Sequence, residues 1–128
     1  MDQKTNKQSV LIIDDDTFLL DMYAMKFGEV GFEVHTAPGG NEAIDMIKEG
    51  LSPDVLLLDI VMPGMDGFEF LTAIKDEKLI PNTKKIILSN IGQEDDIERG
   101  KKLNADGYIV KASATPTEVV EKVREILN

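Results

Sequence analysis

The 128-residue chain carries 24 acidic against 14 basic residues, a formal net charge of -10, and no cysteine. That length suits one domain, the acidic balance without any Lys/Arg block argues against direct nucleic-acid binding, and the missing thiols exclude disulfide frameworks, thiolate zinc sites and cysteine nucleophiles. No apolar run approaches the roughly 20 residues that span a bilayer, so no membrane insertion is expected and the chain reads as a soluble, cytoplasmic protein.

In chain order, "MDQKTNKQS" (residues 1–9) reads as a flexible polar tail without the apolar core of a signal peptide, and residues 10–128 read as a single compact unit. Short β-branched runs then alternate with segments of helical period, the pattern of βα units on a parallel sheet. The expected strands cover residues 10–14, 32–36, 55–59, 85–89 and 107–111, most of them apolar on both faces, as strands covered by helices on both sides should be.

The first helix is expected over about residues 17–29, with Leu20, Tyr23, Phe27 and Val30 inward. The second places Ala43, Ile44, Ile47 and Leu51 on one face. Asp66 and Glu69 form a capping box for the third, which turns Phe70, Leu71 and Ile74 inward. The fourth, "QEDDIERGKKLN", has only Ile97 and Leu103 as clear apolar anchors and a glycine, Gly100, in mid-segment, so a short and mobile helix is expected. The last opens on Thr115, Pro116 and Glu118, a capping box with proline at the first helical position, and buries Val119, Val120, Val123, Ile126 and Leu127.

In an open parallel sheet, ligands bind beyond the carboxyl ends of the strands. The polar residues expected there are Asp14, Asp15 and Asp16 after the first strand, Asp59 after the third, Ser89 after the fourth and Lys111 after the fifth. Two carboxylates about 4 Å apart repel by roughly 4 kcal/mol at an effective dielectric near 20, so a cluster needs compensation. Mg²⁺ supplies it through oxygen ligands, while a lysine and a hydroxyl suit the oxygens of a phosphoryl group. That set points to phosphoryl transfer, with Asp59 as a candidate nucleophile that forms an aspartyl phosphate. Taken singly, each residue has a plainer reading: an N-cap cluster for Asp14 to Asp16, a strand-end hydroxyl for Ser89, a solvated amine for Lys111, a half-buried aromatic for Tyr108 and an ordinary strand residue for His35.

The motifs "LIIDDD", "LLLDIVMPGMDGFEFL", "IILSN" and "NADGYIVK", in that order, resemble those of the receiver domains of two-component response regulators, from about Val10 to Leu127. The resemblance implies a flavodoxin-like (βα)5 doubly wound parallel sheet with strand order 2-1-3-4-5. It implies that Asp59 takes a phosphoryl group from a sensor histidine kinase or histidine phosphotransfer protein. Mg²⁺ would be bound by Asp15 directly, Asp14 largely through water, Asp59 and the backbone carbonyl of Val61; Asp16 would be left as a helix cap. Lys111 and Ser89 would bind phosphoryl oxygens, and Ser89 and Tyr108 would switch together.

By the same resemblance, the protein would catalyse only its own phosphorylation and dephosphorylation. It would control a downstream protein target through the face of the fourth helix, fifth strand and fifth helix, and a homodimer linked to phosphorylation would be one outcome. With the last residue at Asn128, the expectation is a receiver that acts alone, or one excised from a larger regulator. The alternative is a phosphorylation-independent receiver that serves as a protein interaction module.

Several residues depart from the family pattern or qualify it. Ala112 follows Lys111 where proline is usual, which leaves open whether that peptide bond is cis or trans. Asn90 follows Ser89 where a small residue is usual. Val61 and Ile91 are apolar at positions that tune attack by water, and are expected to slow self-dephosphorylation. An aspartate-nucleophile phosphatase would need a second acid where Val61 stands, and a dinucleotide site would need a G-x-G-x-x-G after the first strand, which "DDDTF" replaces.

Overall fold

A computed structural model describes residues 7–128. Five parallel strands, β1 (Ser9–Ile13), β2 (Glu33–Ala37), β3 (Val55–Leu58), β4 (Lys84–Ser89) and β5 (Gly107–Val110), form one sheet in the order β2-β1-β3-β4-β5. Helices α1 (Thr17–Glu29), α2 (Gly40–Lys48), α3 (Gly67–Asp76), α4 (Glu94–Lys102) and α5 (Pro116–Leu127) connect and follow the strands. The strand order and alternation are those the flavodoxin-like reading requires.

β3 lies at the centre and is apolar throughout because helices cover it on both sides. Leu56 and Leu58 join Phe70, Leu71 and Ile74 of α3 in one core, while Val55 and Leu57 join Phe27 of α1 and Val119, Val120 and Val123 of α5 in the other. The side-chain period of two along the strand thus assigns neighbouring residues to opposite cores.

Several boundaries differ from the sequence expectation. β1 opens at Ser9, whose N–H and hydroxyl meet the Asp54 carboxylate at 2.7 and 3.3 Å, and Gln8 already accepts the N–H of Glu33 at 2.8 Å. Gln8 and Ser9, which the sequence reading put in the tail over residues 1–9, are thus tied to the sheet; residues 1–6 of that stretch lie outside the described residues. β2 runs one residue later than expected because Phe32 packs edge-on against Phe27, with ring centroids 5.1 Å apart, instead of entering the sheet. β2 is also an edge strand and half-exposed. His35 on it contacts Glu33 at 2.8 Å and has two strands between it and β4, as its reading as an ordinary strand residue implies.

Val30, expected inward, is exposed as the C-cap of α1. The expected capping boxes of α3 and α5 both form, through Asp66 with Glu69 and Thr115 with Glu118. α4 has a capping box as well, between Gln93 and Asp96. Its Gly100 is buried, and a Cβ there would stand 2.8 Å from Ile87 Cδ1, so the glycine that weakens the helix also lets it lie against the sheet. Arg99 adds a second hold on α4, its guanidinium 4.3 Å from the centroid of the Phe68 ring on α3.

Candidate functional site

Strands β1, β3 and β5 each end one residue earlier than the sequence suggested, so Asp14, Asp59 and Lys111 are the first residues beyond them. The backbones of the two acids remain tied to the sheet: the Asp14 N–H donates to the Ala37 carbonyl at 3.2 Å and the Asp59 N–H to the Ile13 carbonyl at 3.0 Å. This backbone anchoring aims the Asp14 and Asp59 side chains off the sheet edge. The parallel order β1-β3-β4-β5 brings them together with Lys111 and with Ser89, the last residue of β4.

The result is a pocket of about 370 Å³ walled by Asp14, Asp15, Asp59, Val61, Ser89 and Lys111, with Asp16, Leu19 and Asn90 at its margin. One carboxylate oxygen each from Asp14, Asp15 and Asp59 lies within 4.8 Å of the others. Asp14 and Asp59 are 3% and 8% exposed, whereas Asp15 is open to solvent. The Lys111 ammonium bridges the two buried acids, 2.7 Å from Asp14 Oδ2 and 3.4 Å from Asp59 Oδ2. Asp59 Oδ1 accepts the Ile60 N–H at 2.8 Å.

Burial pushes the Asp59 carboxyl above the usual carboxylate range, because the desolvation outweighs the nearby Lys111 charge. Burial also works against the Lys111 charge, but the hydrogen bond to Asp14 and the charge of Asp59 outweigh it and hold the amine above its ordinary value. Three carboxylates and one ammonium leave the pocket acidic, with hard oxygen donors on one side. That donor set fits a Mg²⁺ ion, which works with one or two carboxylates, water and phosphate oxygens.

Ser89 Oγ is fully buried and, among the described residues, has no partner in good hydrogen-bond geometry, although it lies near enough to the Asp59 carboxylate to favour its charged form. Asp16 is apart from the acidic group in function: its side chain caps α1 by accepting the N–H groups of Phe18 and Leu19 at 3.1 and 3.2 Å. Val61 lines the pocket and is 62% exposed. Tyr108 is not among the pocket walls; its hydroxyl donates to the Ile91 carbonyl in the loop after β4, and burial pushes its pKa up. The Lys111–Ala112 peptide is trans, since the described residues contain no cis bond, and Lys111–Ser113 forms a single 3₁₀ turn.

Two residues that shape the site carry no sequence signal of their own. Leu19 walls the pocket from α1. Gly67 gives the Asp59 segment room: a Cβ there would stand 2.5 Å from the Asp59 carbonyl oxygen and 2.8 Å from Ile60 Cα. Asp-Gly is read from sequence as helix-cap chemistry, and only the packing shows that the glycine faces the backbone of the site.

The model of the response regulator receiver domain matches residues 10–124. Among solved structures, the chain is similar to the Vibrio cholerae chemotaxis protein CheY4, with 28% identity, a TM-score of 0.86 and coverage of 94% of this chain and 98% of that one. It is similar to a CheY-like receiver domain protein from Methanospirillum hungatei, with 32% identity, a TM-score of 0.84 and coverage of 95% and 94%. Among curated proteins it is 33% identical over 121 residues to a probable transcriptional regulator, ycf27, of Guillardia theta, covering 94% of this chain and 46% of that protein. The chain spans about half the length of the curated relatives it matches. It belongs to the receiver domain family of two-component response regulators.

Proposed function

We propose that this chain is a phosphorylation-dependent switch in which Asp59 is the phosphoacceptor. The observation that carries this reading is the single ammonium of Lys111 shared between two buried carboxylates, beside a buried Ser89 hydroxyl that lies close to Asp59 and is not committed to a well-formed hydrogen bond among the described residues. An Asp59 oxygen attacks phosphorus, the P–N bond of a phosphohistidine on a sensor kinase or phosphotransfer protein breaks, and an aspartyl phosphate forms. The histidine nitrogen leaves with the electron pair. Lys111 then moves its charge from the carboxylates to a phosphoryl oxygen, and Ser89 donates to another.

Asp14, Asp15, Asp59 and the Val61 carbonyl would hold Mg²⁺, which supplies charge neutralisation for the phosphoryl oxygens. Tyr108 leaves the Ile91 carbonyl when Ser89 turns towards the phosphoryl group, and α4, held by few apolar contacts, is the element that re-sets. The face of α4, β5 and α5 passes the state to a protein target, by way of a homodimer or a different partner. Catalysis is confined to the protein's own phosphorylation and dephosphorylation, in the cytoplasm; among the described residues no helix is long and apolar enough to cross a membrane.

Incubation with acetyl phosphate and Mg²⁺ should add one phosphoryl group by intact-protein mass, and Asp59→Asn should abolish it. Incorporation that survives the substitution would remove Asp59 from its role. A protein that binds its target equally well with Asp59→Asn would instead be a phosphorylation-independent interaction module.

A further inference from the structure

A second cleft, of about 330 Å³, opens at the opposite edge of the sheet, between the C-terminal ends of α3 and α4 and the start of β4. Its floor is apolar, with Leu71, Ile74, Leu79 and Leu103, and its polar side is cationic, with Lys75, Lys78 and Lys85. Lys85 lies four residues before Ser89 on β4, so the cleft is about 13 Å of strand away from the carboxylate pocket.

No carboxylate lines this cleft, and among the described residues none of the three lysines is in an ion pair. Asp106, outside the lining, accepts the Lys85 backbone N–H at 2.9 Å, and its charge offsets part of the burial cost of the Lys85 amine. In a chain of formal charge -10, three lysines line this one cleft with no carboxylate among its lining residues, which makes its polar side cationic.

Two of the amines are positioned by backbone carbonyls. Lys85, only 8% exposed, donates to Thr83 at 2.9 Å and Ile80 at 3.2 Å, and Lys75 donates to Lys102 at 3.1 Å. An ammonium has three donors, so Lys85 keeps one and Lys75 keeps two. Burial pushes the Lys85 amine below its ordinary value, a cost to its charge that a bound anion would offset.

The backbone around the cleft is unusual as well. Lys78 has φ 56°, immediately after the C-cap of α3, where glycine is the residue of least strain. Ile80, whose carbonyl holds Lys85, has φ 39°, which a β-branched residue rarely adopts. Lys78 thus places a cation at the cleft from a backbone conformation in which glycine would be less strained.

We propose that this cleft is a second binding site that takes a small organic anion, a single apolar ring carrying a phosphate or carboxylate. The ring lies against Leu71, Leu79 and Leu103, and the anionic group meets the ammonium groups of Lys75, Lys78 and Lys85. The cleft volume is at the small end of ligand pockets, which suits a ring and one head group. The site is independent of phosphorylation at Asp59, so it stands or falls separately from the switch.

The test is an NMR titration of the metal-free, unphosphorylated full chain with phenyl phosphate, with inorganic phosphate and benzyl alcohol as the charge-only and ring-only probes. Phenyl phosphate should give saturable amide shifts at Leu79, Leu103 and Asn104, and should bind about tenfold tighter than either half-probe. The Lys75→Gln, Lys78→Gly double variant should weaken it about fivefold; both lysines are exposed and glycine suits the backbone at residue 78, so the fold is kept. Equal binding of inorganic phosphate, shifts scattered over surface lysines, shifts confined to the Asp59 pocket, or an unchanged affinity in the double variant would each overturn the site.

Discussion

At the scale of single residues, Asp59 is held in a state that its fold disfavours when metal is absent. Its carboxyl pKa is raised from 3.8, chiefly by burial, so the folded protein takes up this proton before the unfolded chain does. Relative to a variant without the group, the protein is therefore less stable once Asp59 ionises, and recovers as pH falls through the raised value towards 3.8. In EDTA at pH 7, Asp59→Asn should raise Tm by roughly 3 °C, about 1 kcal/mol for a domain of this size. Thermal scans of both proteins should show the gap closing as the pH is lowered to about 4. A gap independent of pH would mean that the carboxylate's charge is not its source.

Gly67→Ala tests the packing behind the same residue. The new methyl meets main-chain atoms of Asp59 and Ile60, which have no rotamer to move into. The expected loss is about 1–3 kcal/mol in urea unfolding, with slower phosphorylation by acetyl phosphate because Asp59 is displaced. Asp59, Asp14, Asp15, Ser89 and Lys111 were legible in the sequence because their chemistry is strand-end polar chemistry in apolar company. Gly67 and Leu19 were not, since neither an absent side chain nor one leucine among many announces what it faces.

At the scale of elements, α4 differs from its neighbours. α3 and α5 combine capping boxes with several buried apolar residues, while α4 buries only Gly100 and holds Ile97 and Leu103 partly covered. Most helical stability in proteins comes from a packed apolar face, so α4 rests on a few contacts. One of them is the Arg99 guanidinium over Phe68. Arg99→Gln should leave global stability within about 1 kcal/mol, the scale of a cation–π contact at an exposed site. Hydrogen exchange should nevertheless quicken across α4 and not across α3 or α5; uniform exchange changes would place the hold on α4 elsewhere.

At the scale of the whole molecule, the sheet divides two cores of similar apolar make-up. β3 is the wall between them, so deletions on either of its faces should cost alike. Leu56→Ala and Leu57→Ala remove fully buried side chains from opposite cores and should each cost about 2–5 kcal/mol in denaturant unfolding. A small loss on one side only would show that this core can collapse around the gap.

The amino-acid sequence by itself determined the alternation of strands and helices, the caps of α1, α3 and α5, and the acidic, hydroxyl and amine residues at the strand ends. These follow from local rules of periodicity, capping and polarity that act over a few residues. Tertiary structure alone decided what meets what across long separations: Lys111 between Asp14 and Asp59, Gly67 against the Asp59 backbone, Gly100 against Ile87, and the lysines around the second cleft. Those meetings depend on strand order and on the close packing of helices over the sheet, which bring together residues that no local pattern in the chain connects.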